Sequence, residues 1–136
     1  MLSITLTTLF LTLLSASYTI AAPTDTLQQR YELTCQDNGG GYRPVQEAQA
    51  CVDFLLDKGN ADCTVADDNS TFCRVGSTVI TGSNVNNKPE GARSSCRDVA
   101  LGAQKIIDSC TTPEGKVGGT NAANGNADII VAINRG

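Results

Sequence analysis

Ser94-Ser-Cys-Arg-Asp-Val-Ala-Leu-Gly-Ala-Gln-Lys-Ile-Ile-Asp-Ser-Cys110 decides the fold of this chain. Cys96, Val99, Ala100, Ala103, Ile106, Ile107 and Cys110 recur at three- and four-residue spacing, which makes one face of a helix apolar and puts a cysteine near each end of it. Ser94 or Ser95 can cap the first turn, and Asp98 places a negative charge where the helix dipole favours it. Pro113 lies beyond the last apolar position and stops the helix. A helix with one apolar stripe has to lay it on another layer, and the flanking sequence supplies strands.

Downstream, Lys116 to Gly119 starts a strand. The run Gly115-Lys-Val-Gly-Gly-Thr120 has the composition of a phosphate loop but lacks the Gly-Lys-Ser/Thr ending and precedes a strand, so it reads as the start of that strand. Asn124-Gly125 is a hairpin turn signal. Ala127, Ile129, Val131 and Ile133 then alternate with Asp128, Ile130, Ala132 and Asn134, the most apolar strand of the chain and one expected in a well-covered part of the sheet.

Upstream, Pro44 opens a first helix in which Val45, Ala48, Val52, Leu55 and Leu56 recur beside Cys51, with Gly59 placed to end it. Tyr31, Leu33 and Cys35 alternate as a short strand ending at Asn38-Gly-Gly-Gly41. Between the helices, Cys63 to Val65 reads as a strand, Asp67 to Ser70 as a turn, and Thr71 to Thr81 as one longer strand with Cys73, Val75 and Val79 on a shared face. Gly82 to Gly91 reads as a polar loop. The order strand, helix, strand, strand, helix, strand, strand predicts an α+β two-layer sandwich. Two helices cover one face of a four- to five-stranded antiparallel sheet in a split β-α-β arrangement.

Met1 to Ala22 carries no charged side chain, has an apolar run from Leu2 to Leu14, and ends in small residues before Pro23, the layout of a signal peptide cleaved after Ala21 or Ala22. The run is short for a membrane-spanning helix. Residues 23–30 are expected to form a flexible polar arm, and residues 31–136 one domain. The mature length supports a small core, for which covalent staples are useful. Six cysteines, an even number, all follow the leader, and the chain has no His and no Cys-x-x-Cys pair. Three disulfides are therefore expected rather than a metal site. Six cysteines allow fifteen pairings. The predicted topology favours Cys35–Cys110, Cys63–Cys73 across a hairpin, and Cys51–Cys96 between the helices.

The absence of His excludes Ser-His-Asp and Cys-His nucleophilic arrangements. Asp67-Asp68 is the only adjacent acidic pair, and its place in a turn favours a solvated surface over a catalytic dyad or a calcium loop. The formal net charge of -4, with no basic stripe, argues against nucleic acid and anionic membrane as partners. Beyond the leader only Tyr31, Tyr42, Phe54 and Phe72 are aromatic, with Phe54 and Phe72 expected in or near the core, too few for a strong sugar-stacking platform. Asn69-Ser-Thr71 is an N-glycosylation sequon, so Asn69 is a candidate modification site.

Several segments of the second half carry a family likeness: Phe72-Cys-Arg-Val-Gly-Ser-Thr-Val-Ile-Thr-Gly-Ser-Asn84, Ser94-Ser-Cys-Arg-Asp-Val-Ala100, Ile106-Ile-Asp-Ser-Cys110, Gly115-Lys-Val-Gly-Gly119 and Asp128-Ile-Ile-Val-Ala-Ile-Asn134. From Cys51 to Asn134 the pattern resembles killer-toxin-like small secreted fungal proteins, a group that includes extracellular effectors with a necrosis-inducing domain and virally encoded smut killer toxins. The resemblance implies a disulfide-linked α/β sandwich acting outside the cell on a plant host or a competing microbe, and no site residue is carried over from it. The resulting expectation is a non-enzymatic, cofactor-free, monomeric effector or toxin-like protein. It is expected to contact a host or microbial surface protein through the loops at Gly82–Gly91 and Gly118–Asn126. The alternative is an inhibitor of a secreted host hydrolase.

Overall fold

The computed structural model describes residues 31–36 and 41–136; the expected signal peptide, the arm at 23–30 and most of the Asn38–Gly41 turn lie outside them. In chain order the elements are β1 (Thr34–Cys35), β2 (Arg43–Pro44), α1 (Val45–Lys58), β3 (Asp62–Val65), β4 (Asn69–Val75), β5 (Thr78–Asn84), β6 (Ala92–Ser95), α2 (Cys96–Cys110), β7 (Lys116–Val117), β8 (Gly119–Ala123) and β9 (Asn126–Arg135). Five strands form one antiparallel sheet in the order β1-β8-β9-β5-β4, and two small ribbons pair β2 with β7 and β3 with β6. Both helices pack on one face of the large sheet and on each other, α1 over β4 and β5, α2 over β8 and β9. The fold is the expected two-layer α+β sandwich. Because β9 is antiparallel to both β5 and β8, those two run parallel; the chain passes from β5 through α2 to β8 with β9 between them, a split β-α-β unit.

The apolar pattern of the second half explains its geometry. Ser95 caps α2, its side chain accepting from the Asp98 N–H at 3.0 Å. Val99, Ala100, Ala103 and Ile106 are fully buried against Ile129, Val131 and Ile133 of β9 and their neighbours. The strand read as best covered is indeed central, flanked by β8 and β5. Its hairpin with β8 turns at Asn124-Gly125, where Gly125 adopts φ 72°. Gly102 permits the close approach of α2 to β8: a methyl group there would meet the Ala122 carbonyl oxygen at 2.5 Å.

The middle of the chain departs from expectation. Thr71 to Thr81 is not one strand: Gly76, at φ 60°, and Ser77 form a two-residue turn that folds β4 back on β5. The turn is held by Glu47 of α1, whose Oε1 accepts from Ser77 N–H (3.2 Å), Ser77 Oγ (3.2 Å) and Thr78 Oγ1 (2.8 Å). The reversal moves Val79 to the opposite face from Cys73. Gly82 to Asn84, read as loop, complete β5. β3 makes no hairpin with β4; it pairs with β6, a short strand hidden in the polar run before α2, in the register Cys63↔Ser94 and Val65↔Ala92.

These changes re-pair the cysteines. Cys35–Cys110 forms as expected, with Cα atoms 5.3 Å apart. Cys63–Cys73 and Cys51–Cys96 do not form. The β3–β6 register brings Cys63 to Cys96 (Cα–Cα 5.0 Å), and Cys73, facing the helices from β4, meets Cys51 (5.6 Å). The helices are thus tied to strands rather than to each other. Between them runs an amide pair, Gln49 with Gln104, hydrogen-bonded in both directions at 2.8 and 3.2 Å. Phe72 lies on the core side over Gly82, whereas Phe54 and Leu56, both expected inside, are 50% and 40% exposed.

Candidate functional site

Two surfaces are left by this packing. The first is the face of the large sheet away from the helices. Alternation along the strands brings Asn69, Thr71 and Arg74 of β4, Thr81 and Ser83 of β5, Thr120 of β8, and Asn134 of β9 to this side, around a cleft of 720 Å³. The lining is hydroxyl- and amide-rich, with guanidinium groups at Arg74 and Arg135 and no acidic side chain. Asn134 Nδ2 donates to Thr81 Oγ1 at 3.1 Å, while its Oδ1 is shielded from solvent and has no partner among the described residues. Tyr31 borders the face, bonded through its hydroxyl to Thr120 Oγ1 at 2.8 Å.

The second surface is the end of the sandwich where the connections after β3, β5 and β8 meet. Asn84 organises it. Its backbone N–H donates to Asp68 O (3.0 Å), its Nδ2 to Lys88 O (3.2 Å), and its Oδ1 accepts from Lys88 N–H (3.2 Å). Asn87 takes a positive φ of 49°, a conformation that asparagine tolerates better than most residues. Asp128, near the start of β9, clamps the loop from the side, accepting from Asn86 Nδ2 at 2.6 Å and pairing with Lys88 Nζ at 3.2 Å. The Asn86 hydrogen bond, followed by the bond and charge of Lys88, holds the Asp128 carboxyl below the usual carboxylate range, against the opposing effect of burial. Asn126 ties the β8–β9 turn to Arg93 O at 2.9 Å, and Asn124 N–H reaches Asp98 O at 2.9 Å. A shallow polar cleft of 590 Å³ opens here between Asp67-Asp68 and Asn87-Lys88-Pro89.

The cysteines expected from sequence are all paired. Of the two expected contact loops, residues 85–91 do belong to this end, but Gly119 to Ala123 are strand, so that only the turn at 124–125 joins it. Asn69 is exposed at the start of β4, on the open sheet face rather than at a hairpin tip. Glu47, Asn84, Asp128 and Asn134 were not singled out by the sequence; each is a single polar residue whose role depends on a strand register. Glu47 has its carboxyl held below the usual range, chiefly by the Thr78 hydroxyl, then by the Ser77 N–H and hydroxyl and the Arg43 charge, with burial opposing. It locks the β4–β5 turn. Among the described residues no group of three His, Cys, Asp or Glu side chains converges as a metal site, and no helix is long and apolar enough to cross a membrane.

Two helices on a five-stranded antiparallel sheet, cross-linked by three disulfides and bearing a looped polar end, define a small disulfide-stapled α+β protein, a class suited to oxidising surroundings. Residues 30–135 match the family described as "Domain of unknown function (DUF8794)", and the chain belongs to that family. No curated protein matches the sequence.

Proposed function

We propose that this protein is exported and acts without catalysis, as an effector or toxin-like protein that binds a host or microbial surface protein through the looped end of its sandwich. The observation that carries the reading is the convergence of three connections at one end, braced by Asn84 and Asp128, on a body held by three disulfides. Loops fixed on a rigid scaffold are a common means of recognition, because little ordering entropy is lost on binding. The leader-like first 22 residues, the even cysteine count and the resemblance to killer-toxin-like fungal proteins support export and an antagonistic role.

The test uses protein purified from the medium, infiltrated into leaves and separately added to competing fungi. A response is expected in at least one assay. The charge-reversing double substitution Asp67→Lys/Asp68→Lys, in a protein with unchanged circular dichroism, is expected to reduce it at least tenfold. Absence of any response across several species overturns the effector reading; full activity of the double variant overturns the assignment of the site.

A further inference from the structure

We propose that Asn69 carries an N-linked glycan and that its sugars lie along the open face of the large sheet. The proposal rests on the export reading, since the modification requires the secretory route. Asn69-Ser-Thr71 is the only Asn-x-Ser/Thr sequence in the chain. The folded protein keeps Asn69 exposed, at the first residue of a strand that is the edge of the sheet among the described residues, so a saccharide there displaces nothing in the core. Its side chain lines the open face, opposite Ser83 in the β4–β5 register.

What lies beside it is a bed of matching chemistry. Thr71, Thr81 and Ser83 present hydroxyls, and Asn134 lines the same cleft with its side-chain amide. Sugar hydroxyls both donate and accept, so they can hydrogen-bond to such a lining. From β4 to β8 is three strand spacings, about 14 Å at the usual separation, a span that a few linked pyranose rings cover. Attachment at Asn69 supplies the high local concentration that makes weak hydroxyl contacts sufficient. The consequence is a division of surfaces: helices cover one face of the sheet, sugars the other, and the looped end remains for a partner.

The test begins with the full chain expressed in a secreting eukaryotic host and collected from the medium. Intact mass before and after peptide N-glycanase is expected to differ by one glycan. Thr71→Val, which destroys the sequon but keeps Asn69, and Asn69→Gln are both expected to lose that mass; Thr71→Ser, which preserves the sequon, retains it and controls for disturbed folding. For the seat of the sugars, ¹⁵N spectra are compared between the glycoprotein and protein trimmed by an endoglycosidase to one sugar. Shifts are expected at the Asn134 side-chain amide, Thr81 and Ser83, and none at Gln49 or Phe54. Export with an unmodified Asn69 overturns the proposal and leaves the export reading standing, whereas retention of the chain inside the cell overturns both. A glycan whose trimming leaves Asn134 unmoved overturns its placement on the sheet.

Discussion

Helices α1 and α2 differ by one residue in length, yet the fold treats them differently. α2 lies over β8 and β9, toward the middle of the sheet, and buries eight of its fifteen residues; α1 lies over β5 and the edge strand β4 and buries four of fourteen. α2 is disulfide-bonded at both ends, through Cys96 and Cys110, and α1 once, at Cys51. A stripe of apolar residues tells how a helix faces its sheet, while the position over the sheet decides how far around the helix the cover extends. Phe54 is exposed because no further strand lies beyond β4 among the described residues.

The strongest way to break this contrast is to remove the cross-links one at a time. In the chain-entropy description the stabilisation grows with the loop closed. The Cys35–Cys110 bond, across a separation of 75, is expected to contribute about 4.5 kcal/mol and Cys51–Cys73, across 22, about 3.4 kcal/mol. Double replacement by Ala, followed by urea denaturation, is therefore expected to cost about 1 kcal/mol more at the α2 bond than at the α1 bond. The reverse order would mean that α1, and not α2, is the helix that depends on its staple.

The next contrast sets packing against packing. Ile106 of α2 is fully buried, so Ile106→Ala is expected to cost about 2–5 kcal/mol in thermal or urea unfolding, the transfer of the side chain plus the cavity left behind. Leu56→Ala on α1 removes a similar volume at a site 40% exposed and is expected to stay within about 0.5 kcal/mol. Equal costs would show that the Leu56 side chain is packed after all.

The same contrast explains what the sequence reveals. α2, a serine cap at its start, the Asn124-Gly125 turn and the central β9 were legible because periodicity, cap and turn all point to one structure within about forty residues. The region from Cys63 to Ser95 was not. The β-branched pattern continues across Gly76-Ser77 and masks the turn, although Gly-Ser between alternating runs is itself a two-residue hairpin signal. β6 is four residues of which only Ala92 is apolar, and a ribbon so short leaves no pattern of its own. Two of the three disulfides hang on those two features. One missed turn and one missed strand therefore exchanged the partners of four cysteines. The looped end was only partly foreseen for a similar reason: Asn84 and Asp128 act through hydrogen bonds that exist only once β5 and β9 are in register.

An electrostatic contrast follows from Glu47, whose carboxylate ties α1 to the β4–β5 turn, whereas α2 reaches the β8–β9 turn through its backbone, the Asp98 carbonyl accepting from Asn124 N–H. The Glu47 carboxyl is held below its ordinary value of 4.5 in the folded protein. Its contribution is therefore fully present above that value and is lost as the pH falls through the lower, folded value. Thermal midpoints measured from pH 7 to pH 3 are expected to show wild type above Glu47→Gln at neutral pH, with the gap closing below about pH 4.5. A constant gap over this range would mean that Glu47 acts by shape and not by charge.

The smallest expected effect is at Phe54. Its ring is half exposed, and Lys58, one turn on, sits with Nζ 5.0 Å from the ring centre. A cation over an exposed ring contributes about 0.5–1 kcal/mol, and the lost apolar contact adds little where water already reaches the side chain. Phe54→Ala is therefore expected to lower stability by no more than about 1 kcal/mol, and Lys58→Ala in the Phe54→Ala background to add nothing further, as a double-mutant cycle would measure. The ring also borders a 500 Å³ groove with Ala50, Phe72 and Val75 beside the free edge of β4. If Phe54→Ala cost several kcal/mol, and the loss grew with protein concentration, a second copy would have to be covering that groove. The exposed flank of α1 would then be an interface, and the cover of α1 would extend further around the helix than the sheet alone provides.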